Sequence, residues 1–287
     1  MSVSGFTRVA RPSSGSKTKA IDAHGHYGRF PHANELLEKV SNASAGEVAQ
    51  RARDCGEEWS ILSPLEGLMP RGRATTVAPA NDRAFREVPK VKGLLQYVIV
   101  NPLQPETYAQ AREMLQSPWC VGIKIHPEEN AYRIADHGDE LFSFFDEVGA
   151  PVMTHSGCRN SLPDAFAPFA DRYPKARVLL AHLGNGMGDN GRLDLQVRAV
   201  QAAKHGNLWI DTSSARSIVP GLIEWAVQEV GAERLLFGSD TPLYHVALQR
   251  ARIESAEIPA AEKQSILRDN AVRFFYLSRL PPSGHFE

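Results

Sequence analysis

The chain has 287 residues, 43% of them hydrophobic and 23% charged, with a formal net charge of -1, enough to bury a large core and too neutral to offer a basic surface for nucleic acid. Three cysteines, Cys55, Cys120 and Cys158, without CxxC spacing, indicate neither a disulfide framework nor a cysteine-based zinc site, and a reducing cytoplasm is the expected setting. No apolar run approaches the ~20 residues of a membrane span, and the opening segment lacks the apolar stretch of a secretory signal.

Residues 1–19, rich in Ser, Gly and basic side chains, read as a tail outside the fold, and 281–287 as a C-terminal tail. From Ala20 onward, Val-, Ile- and Leu-rich runs alternate with segments of helical periodicity. Eight such runs are counted: 20–26, 58–66, 93–102, 121–127, 151–157, 177–184, 208–214 and 234–242. Several intervening helices end in glycine, at Gly56, Gly149, Gly206 and Gly231. A last helix over 261–277 is expected to cover the outside. Eight βα repeats predict one (β/α)8 TIM barrel over 20–280 with a C-terminal extra helix. The absence of GxGxxG after the first strand counts against a dinucleotide-binding sheet.

In a barrel, chemistry sits at the C-terminal strand ends, whereas a strand used only for packing stays apolar to its end. Here the ends are polar. Strand 1 closes in Ile21-Asp22-Ala23-His24-Gly25-His26, whose two histidines project to one face as a metal clamp, with Asp22 one pleat behind. Gly25 lets a neighbour approach the backbone closely. Strand 4 ends in Lys124 and His126, strand 5 in His155, strand 6 in His182 and strand 8 in Asp240. Alternation places His182 on the face of Val178 and Leu180, and Asp240 on the face of Leu236 and Gly238. Each alone has a structural explanation; Asp240, for example, could cap the helix after Thr241-Pro242. Together they point to a metal site at one mouth.

The motifs IDAHGH, GIKIHP, VMTHSG, LLAHLG and FGSDTP, in that order, resemble the amidohydrolase superfamily, and more closely its branch containing aminocarboxymuconate-semialdehyde decarboxylase and the resorcylate decarboxylases. The resemblance implies a barrel with one divalent, zinc-like metal. His24, His26, His155 and Asp240 would be its ligands, and His182 would flank the metal-bound water or the substrate. Lys124 matches the lysine that is carboxylated and bridges two metals in binuclear relatives. In the mononuclear branch it would instead bind a substrate carboxylate. His126 would line the mouth, Asp22 would orient a ligand from behind or pack beneath it, and Arg71, Arg73 and Arg216 lie in loops where forked cations could grip a carboxylate. Relatives of this kind are often homodimers.

The leading expectation is a metal-dependent hydrolase that activates water against an amide, lactone or ester-like bond of a small anionic molecule. Asp240 would act as proton carrier and His182 as oxyanion partner. The rival is a non-oxidative decarboxylase built from the same ligands. A third reading, an inactive binding protein, is weakened by the intact ligand positions.

Overall fold

The computed structural model describes residues 18–29, 34–69, 77–214 and 218–280. The expected tail over 1–19, apart from its last two residues, and the tail over 281–287 lie outside the described residues, as do Arg71, Arg73 and Arg216. Strands β1 (Ala20–Tyr27), β2 (Glu57–Pro64), β3 (Leu94–Ile99), β4 (Cys120–Ile125), β5 (Pro151–Thr154), β6 (Arg177–Leu180), β7 (Leu208–Asp211) and β8 (Leu235–Leu236) pair in parallel, in chain order. β8 is short, yet the chain running on from it closes the ring. Ala23 N donates to Phe237 O (2.9 Å), Asp240 N to His24 O (2.7 Å) and His26 N to Thr241 O (2.6 Å). The (β/α)8 barrel is therefore the observed architecture.

Strand alternation divides the core into two shells. Val152, Val178, Leu180, Ile123 and Ile210 pack outward against the helices. Ile21, Ala23, Leu95, Tyr97, Met153, Leu179, Ala181 and Leu236 form a separate inner cluster. This corrects the expected grouping in strand 6: Val178 and Leu180 face the helices, and it is not their face that aims His182 at the mouth. His182 has left the strand and adopts a left-handed backbone, φ 70°, which swings its side chain back over the barrel.

The helices follow their sequence signals. Ala45–Asp54 begins at a Ser44/Glu47 capping box, and Ile134–Val148 ends at Gly149, φ 64°, whose N–H returns to Phe145 O. Two helices were not read from the sequence, Glu35–Ser41 and Leu65–Leu68, both too short for a clear period. The C-terminal segment departs further from expectation. It is helical from Ala260 to Phe274, as expected, with a π turn over Ser265–Asp269, but it does not lie on the outside. Ala271, Phe274, Phe275 and Leu277 join the inner cluster with Ile21, Trp59 and Leu236, so this segment seals the N-terminal end of the barrel. Beside it, buried Arg250 donates to Cys55 O, Gly56 O and Thr18 O, tying the chain before β1 to the chain before β2. Among the described residues no helix is long and apolar enough to cross a membrane.

Candidate metal centre

Three donor atoms meet where β1 and β8 run out. His26 Nε2 lies 3.0 Å from Asp240 Oδ1, and His24 Nε2 lies 3.6 Å from the same oxygen. All three side chains are buried, and their donor atoms fall within 4.8 Å of one another, close enough to hold one ion. The far nitrogen of each ring is engaged: His24 Nδ1 is 2.6 Å from Asp211 Oδ2 and His26 Nδ1 is 2.8 Å from Ser63 Oγ. Partners of this kind orient metal-binding imidazoles from behind.

Electrostatics suit the same use. Burial, with Lys124 nearby, pushes His24 well below the ordinary histidine range, and burial lowers His26 as well, so both rings are the neutral form that ligates. Burial would raise Asp240, but His24 and the hydrogen bond from His26 outweigh it and hold the carboxyl at about 2. Two neutral imidazole nitrogens and a carboxylate oxygen fit a divalent cation.

The backbone is shaped around these groups. Asp22 pairs with Ser60 and Gly25 with Leu62, so β1 carries an extra residue between them, a bulge that re-aims the side chains it contains. A Cβ on Gly25 would lie 2.5 Å from Leu62 Cδ2, and one on Gly238 would lie 2.9 Å from His24 Cβ and 3.1 Å from Asp211 Cγ. Asp22 is buried beneath the site, where its Oδ1 accepts from His24 N (3.0 Å) and Ser239 N (2.9 Å). Burial raises its carboxyl to about 7.

The remaining strand-end residues line the same mouth. Lys124, 1% exposed, places Nζ 2.9 Å from His24 Nε2, and burial brings its amine down to about 8 against the pull of Asp240 and Asp211. His182 Nδ1 faces the carbonyl and hydroxyl oxygens of Ser213, both at 3.0 Å, and its Nε2 lies 3.2 Å from His155 Nδ1. His155 Nε2 faces Cys158 Sγ at 3.1 Å, and the His155 ring stacks on His126 at 4.2 Å. His155 thus shares the mouth but belongs to neither group of donors within mutual reach; the second group is His24, His182 and Asp211. Asp240, like His182, is left-handed, φ 59°, a conformation rare outside glycine that concentrates at functional sites. The cavity measures about 310 Å³, and Met69, Met187, Leu243 and Tyr244 give it apolar walls.

Asp211, Ser63 and Ser213 were not singled out from the sequence. Asp211 carried a usable signal, since LWIDTSS ends in polar residues as the ligand-bearing strands do. The two serines carried none, because a strand-end serine is ordinary.

The amidohydrolase family model matches residues 21–277, and the chain belongs to that family. Among curated proteins, the gamma-resorcylate decarboxylase of Polaromonas sp. is 25% identical over 130 residues, which cover 38% of this chain and 37% of that enzyme. Among solved structures, a dihydroxybenzoic acid decarboxylase from Polaromonas sp. JS666, with bound manganese and the inhibitor 2-nitroresorcinol, superposes with a TM-score of 0.68 at 16% identity, over 92% of this chain and 98% of that one. The 5-carboxyvanillate decarboxylase from Sphingomonas paucimobilis gives 0.68 at 16% identity, over 91% and 99%. At such identities the structural likeness shows the shared fold. The hydrolase expectation is overturned: these named relatives are decarboxylases, and they back the rival reading. The two reactions can use one ligand set, so residues that point to a metal could not choose between them.

Proposed function

We propose that the chain catalyses metal-dependent, non-oxidative decarboxylation of a small hydroxylated aromatic carboxylic acid. The observation that carries this is the convergence of His24, His26 and Asp240 donors beside the Lys124 amine in a cavity of about 310 Å³. The decarboxylase relatives supply the reaction class. His24, His26 and Asp240 would hold one divalent cation, with His155 completing the set, and manganese, named in the related structure, is preferred over zinc. When bound, the cation would supply positive charge that favours an anionic substrate.

The chain's own groups do the rest. Lys124 pairs with the carboxylate as a point charge, which leaves it a substrate contact and not a bridge between two metals. Met69, Met187, Leu243 and Tyr244 pack against the ring. Asp240 takes a proton from the entering hydroxyl and returns it to the ring carbon that bears the carboxylate, while His182 orients the group on which it acts. A carbon–hydrogen bond forms, the bond to the carboxylate breaks, its electron pair restores the ring, and carbon dioxide leaves.

The test is turnover of a panel of hydroxybenzoates by manganese-loaded protein, following carbon dioxide release and, in heavy water, deuterium at the vacated ring carbon. Metal content should be close to one equivalent. Cleavage of lactones or amides with no carbon dioxide from any acid in the panel would sink the proposal.

A further inference from the structure

The hydrogen bonds behind the donor set pass through one carboxylate, and their directions follow from a fixed end. Asp211 is fully buried at the end of β7. Its Oδ1 accepts from two backbone N–H groups, His182 at 3.1 Å and Ser213 at 2.7 Å, and from the Ser213 hydroxyl at 2.5 Å, while Oδ2 faces His24 Nδ1 at 2.6 Å. A serine hydroxyl has one proton to donate. Ser213 gives it to Asp211, so its oxygen can only accept from the two ring nitrogens 3.0 Å away, His24 Nδ1 and His182 Nδ1. Both Nδ1 atoms therefore carry the proton, and both Nε2 atoms carry a lone pair. The order continues outward: His182 Nε2 accepts from His155 Nδ1, which leaves the lone pair of His155 on Nε2, the nitrogen on the side of Cys158 Sγ.

We infer that Asp211 is a positioning residue that fixes the tautomer of His24, so that its Nε2 lone pair faces the cavity, and that it holds the Ser213 hydroxyl as an acceptor for His182 Nδ1 beside the Ser213 carbonyl. The inference rests on the metal site proposed above, because the His24 lone pair is the one the cation would take. The same carboxylate also anchors the backbone of His182 in its left-handed turn. One side chain thus aligns a metal ligand on β1 with the histidine that follows β6.

Asp211→Asn separates the two tasks. The two backbone N–H groups need an acceptor, so the amide must keep its oxygen toward His182 and Ser213 and turn its NH2 toward His24 Nδ1. That nitrogen is a donor, so it drives the His24 proton toward Nε2, against the Lys124 amine 2.9 Å from that atom, and takes away the lone pair facing the cavity. The readout is histidine side-chain nitrogen NMR on metal-free protein, followed by titration with Mn²⁺ alone. The wild type should show His24 protonated on Nδ1; Asp211→Asn should show it on Nε2, with Mn²⁺ affinity lower by about 10–100-fold, the usual effect of losing a partner behind a ligand. Ser213→Ala, which leaves the Asp211–His24 contact in place, should keep the Nδ1 tautomer of His24 and most of the affinity. A metal-free wild type with His24 protonated on Nε2 would overturn the inference without recourse to any variant. So would Asp211→Asn with an unchanged tautomer. A protein that shows the tautomer switch and binds Mn²⁺ while releasing no carbon dioxide keeps this inference and loses the decarboxylase reading.

Discussion

The two ends of the barrel are built from the same eight strands and share almost no chemistry. At the N-terminal end Ile21, Trp59, Leu95 and Leu236 meet Phe274, Phe275 and Leu277 in one apolar cluster. Across the barrel, His24, His26, Lys124, His126, His182 and Asp240 are buried together, with His182 and Asp240 in a backbone conformation that side chains disfavour. Apolar burial stabilises by about 25 cal/mol per Å², whereas a buried polar group costs free energy unless it is partnered. A left-handed non-glycine residue adds a cost on the order of 1 kcal/mol or more. The lower end and the outer shell therefore carry the stability that lets the upper end hold a strained polar cluster.

If the ends are separable in this way, His24→Ala and His26→Ala should have the largest effect on function and little on folding. Each should abolish metal binding and reduce the proposed decarboxylation to background, with a thermal midpoint close to that of the metal-free wild type. Metal analysis and calorimetry on the same sample check both halves. A collapse of stability would mean that the ligands also hold the barrel together.

Asp240→Asn should follow. Three histidines remain, so part of the metal should stay bound, but an amide cannot take up a proton near neutral pH. The rate should fall by about 10²–10⁴-fold at saturating metal, the range for lost general acid–base help. Turnover within a few-fold of wild type would move the proton to His182.

At the other end, Phe274 is 1% exposed, and Phe274→Ala should cost about 3–5 kcal/mol of stability by equilibrium denaturation. The folded fraction should keep its kcat. A changed kcat would show that the lower plug reaches the chemistry.

What could be read from the sequence divides along the same line. The upper end announced itself, because polar residues at the ends of apolar strands break the expected pattern, and His24, His26, Lys124, His155, His182 and Asp240 do line one mouth. The orientation of His182 could not be read, since a left-handed backbone just past the strand overrides alternation. The position of the C-terminal segment was equally hidden. Its apolar residues suit the outside of a barrel as well as its base, and only the packing of Phe274 and Phe275 against the inner cluster separates the two. The reaction was out of reach for a chemical reason: the same donors can serve an attacking water or a departing carboxylate.

The last expected effect lies where the two ends meet, at Asp22, which is buried beneath the ligands. Its carboxyl has an ordinary value of 3.8 and is raised to about 7 by burial, against the hydrogen bonds from Ser239 and His24. At low pH the folded and unfolded chains both hold this proton, and the group makes no difference to stability. As pH rises past 3.8 the unfolded chain releases the proton while the folded chain keeps it, so stability falls until about pH 7, where the folded chain releases it too. Asp22→Asn titrates nowhere in this range, and its amide can keep the acceptor toward the His24 and Ser239 N–H groups while donating to the Ser239 hydroxyl. Measured on metal-free protein, the thermal midpoint of the variant minus that of the wild type should therefore rise with pH across this window and level off above it. Glu57, which burial also holds high, is present in both proteins, so the difference isolates Asp22 together with the repulsion between them. A difference that stays flat would mean that Asp22 ionises at its ordinary value, and that the polar end of the barrel extends below the ligands at no cost.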